Sequence, residues 1–222
     1  MSLTQTEHVF AGAHENGIND LFQAIFTARR HYLNYGTSSF VSATTATATN
    51  VSPIAFPGVP GGIEYAIAFG IPVVDCFPDS SGGASPLPLA KNQFTIHTRV
   101  KLTLGCAQWS VDDRDHAPEG NPRVSRAPIT TTLDLWARCQ PTVSYYSPGV
   151  GNIGIQVDAI KIPAIKPASL EAVLECLLRM MLQGALSNVK LPFKPLSMGA
   201  FSLILLRGPL VEDDQIKLSG DV

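Results

Sequence analysis

Along the chain the spacing of apolar residues changes from helical to alternating, back to helical, and to alternating again. From His14 to about Arg30, Ile18, Leu21, Phe22 and Ile25 recur every three or four residues while Asn19, Asp20, Gln23 and Arg29 fall between them, which predicts an amphipathic helix. Its early turns carry Glu15 and Asp20 and its end Arg29, Arg30 and His31, the order that the helix dipole favours. From Ser38 to Ile162 the rhythm becomes two, and Pro, Gly, Asn and Asp clusters cut it into strands. In Phe94 to Leu104, Phe94, Ile96, Val100, Leu102 and Leu104 alternate with Thr95, His97, Arg99, Lys101 and Thr103. In the run from Ile63 to Val73, Glu64, Ala66, Ala68, Gly70 and Pro72 form the second face, and the Gly and Pro predict a bend, a bulge or an edge. Thr44 to Thr49, Ile129 to Arg138 and Ile153 to Ile162 read as further strands, the last with a phase slip at Ala159 and Ile160 that predicts a bulge.

A second helix is expected from Pro167 to about Val189. Leu170, Val173, Leu174, Leu177, Leu178, Met181, Ala185 and Leu186 make a broad apolar stripe, and Glu171, Glu175, Arg179 and Gln183 step along the opposite side every four residues. Strand-like runs Phe201 to Leu206 and Gln215 to Ser219 follow. Short turn-rich breaks suit antiparallel neighbours better than helical crossovers. The expectation is therefore an α+β fold over residues 1–222, a single domain whose curved antiparallel sheet wraps two amphipathic helices.

Composition sharpens this picture. Only 15% of residues are charged, against about 25% in an ordinary domain, and 45% are hydrophobic, so there is much apolar surface to bury. A net charge of −2 with scattered basic residues leaves no footprint for phosphate backbones, which excludes nucleic acid as the expected partner. No leader is visible in the first residues and no apolar run is long enough to span a bilayer, so a cytoplasmic protein is expected, unless export is leaderless. Cys76, Cys106, Cys139 and Cys176 lack metal-ligand spacing and read as thiols, mostly buried.

The motifs that could carry chemistry are weak. Gly149, Gly151 and Gly154 spell G-x-G-x-x-G, but a period-two run follows where dinucleotide binding needs a helix N-terminus, so they read as a turn. Ser197 lacks the strand-to-helix turn of a nucleophile elbow. Asp112, Asp113, Asp115 and His116 match no calcium loop and read as a solvated loop. His8, His14, His31, His97 and His116 form no metal or catalytic spacing. The expectation is no enzyme, no metal and no cofactor.

The segment ALSNVKLPFKPLSMGAFSLILLRGPLVEDDQIKLSGDV resembles the tubular lipid-binding (TULIP) superfamily, whose members are related to bactericidal/permeability-increasing protein. In that family a long amphipathic helix ends in a Pro-containing linker, here Leu191-Pro192-Phe193, and two strands follow. The likeness covers about the last fifty residues, and the order of elements extends it over most of the chain as a single-domain, bacterial-type member. The resemblance implies a highly curved sheet around long amphipathic helices, with an apolar groove or tunnel between them. The expected function is non-catalytic binding of a lipid or other hydrophobic small molecule, lined by Leu21, Phe22, Ile25, Leu174, Leu177, Leu178, Met181, Phe201 and Leu203. The alternative is a fully packed interaction module that contacts other proteins or a second copy of itself.

Overall fold

The computed structural model describes residues 9–41, 46–56, 59–76, 86–108, 123–124, 128–147, 149–163, 165, 168–198, 201–212 and 214–221. These residues form an α+β protein, mostly antiparallel sheet, with two α-helices. In chain order the elements are β1 (Val9–His14), α1 (Glu15–Ala28), a 3-10 turn (Arg30–Tyr32), β2 (Asn34–Gly36), β3 (Thr49–Asn50), β4 (Ile54–Phe56), β5 (Val59–Phe69), β6 (Val73–Asp75) and β7 (Phe94–Gln108). Next come β8 (Arg123–Val124), β9 (Ile129–Ser147), β10 (Val150–Lys161), α2 (Ala168–Ser187), β11 (Leu191–Phe193), β12 (Leu196–Met198), β13 (Phe201–Glu212) and β14 (Gln215–Asp221). One sheet has the order β1-β14-β13-β12; the other runs β11-β10-β9-β7-β5-β2-β3, with β4 beside β5 and with β6 and β8 beside β7.

The chain divides into two compact units, one of Met1–Ile25, Pro72–Thr98 and Leu135–Val222, the other of Phe26–Ile71 and Arg99–Asp134. In the first, Leu174, Leu178, Leu182, Ala185 and Leu186 of α2 are buried, as are Leu135, Ala137 and Cys139 of β9 and Val157 and Ile160 of β10. In the second, Tyr65, Ile67 and Phe69 of β5 are buried, with Val100 and Leu102 of β7 paired across from them. Burying each large aliphatic side chain is worth about 1.5–3 kcal/mol.

Both helices do more than bury apolar area. Beyond its short pairing with β11, strand β10 has a lateral edge without a strand neighbour, and α2 lies there. Gln183 donates from Nε2 to the Ile155 carbonyl (3.1 Å) and accepts from the Val157 amide at Oε1 (2.7 Å), so its carboxamide stands in for the peptide group of a missing strand. Arg179 Nε donates to the Val157 carbonyl (3.1 Å), Glu175 accepts from the Ile162 amide (3.2 Å), and Glu171 pairs with the Lys161 ammonium. Helix α1 repeats the device on β6: Asn19 exchanges two hydrogen bonds with the backbone of Val74 (2.9 and 2.7 Å), and Glu15, four residues earlier, accepts from the Cys76 amide (3.0 Å).

This arrangement corrects the reading of α2. Its polar stripe bonds the sheet edge while staying partly exposed, and Leu170, Val173 and Met180 of the expected core and its flank are exposed too, Val173 at 64% and Met180 at 62%. The helix does not sort into one apolar and one polar side, and α1, at 14 residues, is not long. The apolar run from Ile63 is interrupted at Gly70-Ile71-Pro72, so that Val73 is exposed and Val74 buried. Strand β1 was not foreseen; it pairs with β14 from Val9↔Gly220 to His14↔Gln215. Of the expected strand Thr44 to Thr49, residues 44 and 45 lie outside the described residues and only Thr49 is in a strand. The bulge expected at Ala159 and Ile160 is present as a register shift between Val157 and Ala159.

Gln183→Ala is expected to lower the unfolding free energy by about 1–3 kcal/mol, because it leaves two backbone groups of β10 unpartnered. The exposed Gln156→Ala is expected to stay within about 0.5 kcal/mol. Urea denaturation compares the two. Leu178→Ala, at a fully buried position, is expected to cost about 2–5 kcal/mol in the same assay.

Candidate functional site

The β9–β10 hairpin and the outward flank of α2 enclose a groove. The hairpin turns at Gly149, whose φ of +70° suits glycine. A Cβ there would also meet the Ile204 side chain at 2.6 Å. Two residues on, a Cβ at Gly151 would fall 2.4 Å from the Ser144 carbonyl oxygen. Of the G-x-G-x-x-G glycines, read from the sequence as a turn, Gly149 is in the turn, whereas Gly151 and Gly154 lie in β10. The register Ser144↔Asn152 and Thr142↔Gly154 places these residues on one face of the hairpin. Asn152 donates to the Tyr146 hydroxyl (2.6 Å) along the same face.

Two adjoining clefts, which share Thr142, Ile155 and Gln183, make up the groove. The larger, about 600 Å³, is closed on the helix side by Cys176, Arg179 and Met180; the smaller, about 180 Å³, reaches Tyr146 and Lys190. Among the described residues, Arg179 and Lys190 are the charged members of this lining and no acidic residue belongs to it; Glu171 and Glu175 are drawn onto β10 and Lys161. The groove can offer hydrocarbon contact along Met180 and Ile155, hydrogen bonds from amides and hydroxyls, and positive charge at two points.

Among the expected lining residues of the two helices, Phe22, Leu174 and Leu178 are buried, and Leu21, Ile25, Leu177 and Met181 are half-buried. Phe201 and Leu203 belong to β13, where they pair with Met198 and Leu196; their side chains lie outside the described residues. None of these residues lines the two clefts, whereas Cys176 and Met180, on the next turns of the same helix, do. The signal that could have found the groove was the regular polar stripe of α2, which fixes the helix orientation once it is assigned to the strand edge.

Ser197 is in β12, paired with Ser202, and Asp112, Asp113, Asp115 and His116 lie outside the described residues. His97 stacks on Trp136 with ring centroids 4.3 Å apart. Among the described residues no three His, Cys, Asp or Glu side chains gather as metal ligands. Cys76 and Cys139 are buried free thiols, and Cys176 is an exposed one. Burial first, then the nearby charges of Glu15, Asp75 and Asp214, pushes the Cys76 thiol up to about 12; burial and Asp158 push Cys139 higher still. No helix among the described residues is long and apolar enough to cross a membrane. No family model and no curated protein sequence matches the chain.

Iodoacetamide at neutral pH is expected to modify Cys176 rapidly while sparing Cys76 and Cys139 until urea unfolds the protein, read by peptide mass spectrometry. The raised thiol also sets a sign. Because the folded state holds the Cys76 proton more tightly than the unfolded state, its contribution to stability is complete below pH 9.0 and is lost as pH rises from there towards about 12. Cys76→Ala is expected to flatten part of that alkaline slope in urea titrations at successive pH values.

Proposed function

We propose that this protein binds a lipid or another hydrophobic small molecule without catalysis, in the groove between α2 and the β9–β10 hairpin. The observation that carries this reading is the orientation of α2. Its polar stripe is spent on the strand edge, so Met180 and its neighbours face outward beside a groove of about 600 Å³ that has hydrogen-bonding groups and no carboxylate. A hydrocarbon body against Met180 and Ile155 gains about 25 cal/mol per Å² of apolar surface removed from water. A polar or anionic head would meet Arg179 or Lys190. The resemblance of the carboxyl-terminal segment to the tubular lipid-binding superfamily supports the same ligand class. In that family's arrangement the sheet rolls round the long helix and the ligand lies against its inner stripe; the burial of Phe22, Leu174 and Leu178 favours the outer flank in this chain.

A second reading rests on the same helix. Leu170, Val173 and Met180 would also suit a protein partner or a second copy of the chain, with the interior filled by its own side chains. Protein purified natively, then denatured and extracted with organic solvent, is expected to release a stoichiometric hydrophobic compound in mass spectrometry. Met180→Asp, at an exposed position, is expected to leave stability within about 0.5 kcal/mol of the parent and to reduce the bound compound about tenfold. A clean extract from the parent protein, with no binding to lipid vesicles, favours the assembly reading.

A further inference from the structure

The second unit holds a cleft of its own, about 370 Å³, over the face of β5 that presents Ala66 and Ala68. The sheet register widens this face. Ala68 pairs with Asn34 of β2 and with Lys101 of β7, and Ala66 pairs with Gly36 and Thr103. The alanines end at Cβ, so they leave a shallow apolar floor between the longer side chains of Asn34 on one strand and Lys101 and Thr103 on the other. At Gly36 the floor is closed by Val41, since a Cβ there would fall 2.3 Å from the Val41 side chain.

Hydrogen bonds fix the walls. Thr37 fastens the segment after β2 to β5, its amide donating to the Tyr65 carbonyl (2.9 Å) and its Oγ1 accepting from the Tyr65 amide (3.2 Å). The Phe40 and Val41 amides both donate back to the Thr37 carbonyl (2.9 Å each), and those two residues border the cleft. Asn34 Nδ2 donates to the Thr47 carbonyl (3.0 Å), which ties that part of the rim to β2. The cleft is therefore formed before a ligand enters it. Its charge is unbalanced. Among the described residues Lys101 is the one charged member of the lining, and it has no hydrogen-bond or ion-pair partner there. The Asp134 carboxylate of β9 is paired with Arg99 (3.6 Å). Glu64 is buried, is not in the lining, and stands four residues from Ala68 along β5, about 13 Å. Thr103 Oγ1 shares one hydrogen with Thr130 Oγ1 (3.1 Å), so that pair keeps one O–H free to donate.

We propose that this cleft binds a small monocarboxylate with a flat apolar body, Lys101 acting as its counter-ion. The carboxylate accepts from the Lys101 ammonium on the β7 side, and the body lies on Ala66 and Ala68 against Phe40 and Val41, where it removes apolar surface from water. A second negative charge on the ligand would find no second cation in the lining, and a cationic ligand would meet Lys101 as a like charge. This site is independent of the groove along α2, and either can fail without the other.

Titration calorimetry with sodium benzoate at constant ionic strength tests the proposal, with benzyl alcohol and benzylammonium chloride as controls that keep the ring and lack the negative charge. The parent protein is expected to bind benzoate at least tenfold more tightly than either control. Lys101→Gln, at an exposed position, is expected to weaken benzoate binding at least tenfold, about 1.4 kcal/mol. Ala68→Leu keeps the charge and fills the floor, and it is expected to abolish binding; Lys101→Gln carries the test if Ala68→Leu does not fold. Absence of benzoate binding to the parent protein, equal binding of either control, or equal benzoate binding by Lys101→Gln or by a folded Ala68→Leu overturns the proposal.

Discussion

A strand edge that borders no other strand leaves amides and carbonyls that must find partners, and in this protein helices supply them. On β6 and β10 that need is met by helix side chains, from Glu15 and Asn19 of α1 and from Glu175, Arg179 and Gln183 of α2. The solution determines the orientation of each helix about its own axis. Once Gln183 and Arg179 are committed to β10, Leu174, Leu178 and Leu182 fall inward, and Val173 and Met180 have nowhere to go but out. The groove, its lack of acidic side chains and the exposed apolar surface all follow from that commitment. The device also blocks the edge of β10 against pairing with another chain, a hazard that natural sheets counter in several ways.

Much of the fold was legible in the sequence, because its signals were local. The span of α2, the slip at Ala159 and Ile160, the turn at Gly149 and the alternation in β7 each depend on a few adjacent residues. What escaped had a partner distant in sequence. β1, VFAGAH, has small residues and weak alternation, and it is a strand because β14 lies beside it. The stripe Glu171, Glu175, Arg179, Gln183 has the period of a solvated helix face, and periodicity cannot distinguish water from the edge of a strand as its partner.

The candidate sites were the least legible for the same reason. A list of apolar residues on α2 identified the packed inner stripe, since burying it dominates the helix energetically, but the groove is built from its flank together with the backs of two strands. Glu64 illustrates the limit in reverse. On the pattern alone it belongs to the second face of β5, opposite Tyr65 and Ile67, yet it is fully buried.

The two ends of α2 are fastened by different physics. At the carboxyl-terminal end the neutral amide of Gln183 grips β10 with bonds indifferent to acid and little affected by salt. At the amino-terminal end the polar hold includes Glu171 and Glu175 around the partly exposed Lys161, an arrangement that counterions screen. Ionic conditions therefore act on the polar hold of the helix at one end only, while Leu174 and Leu178 keep it packed.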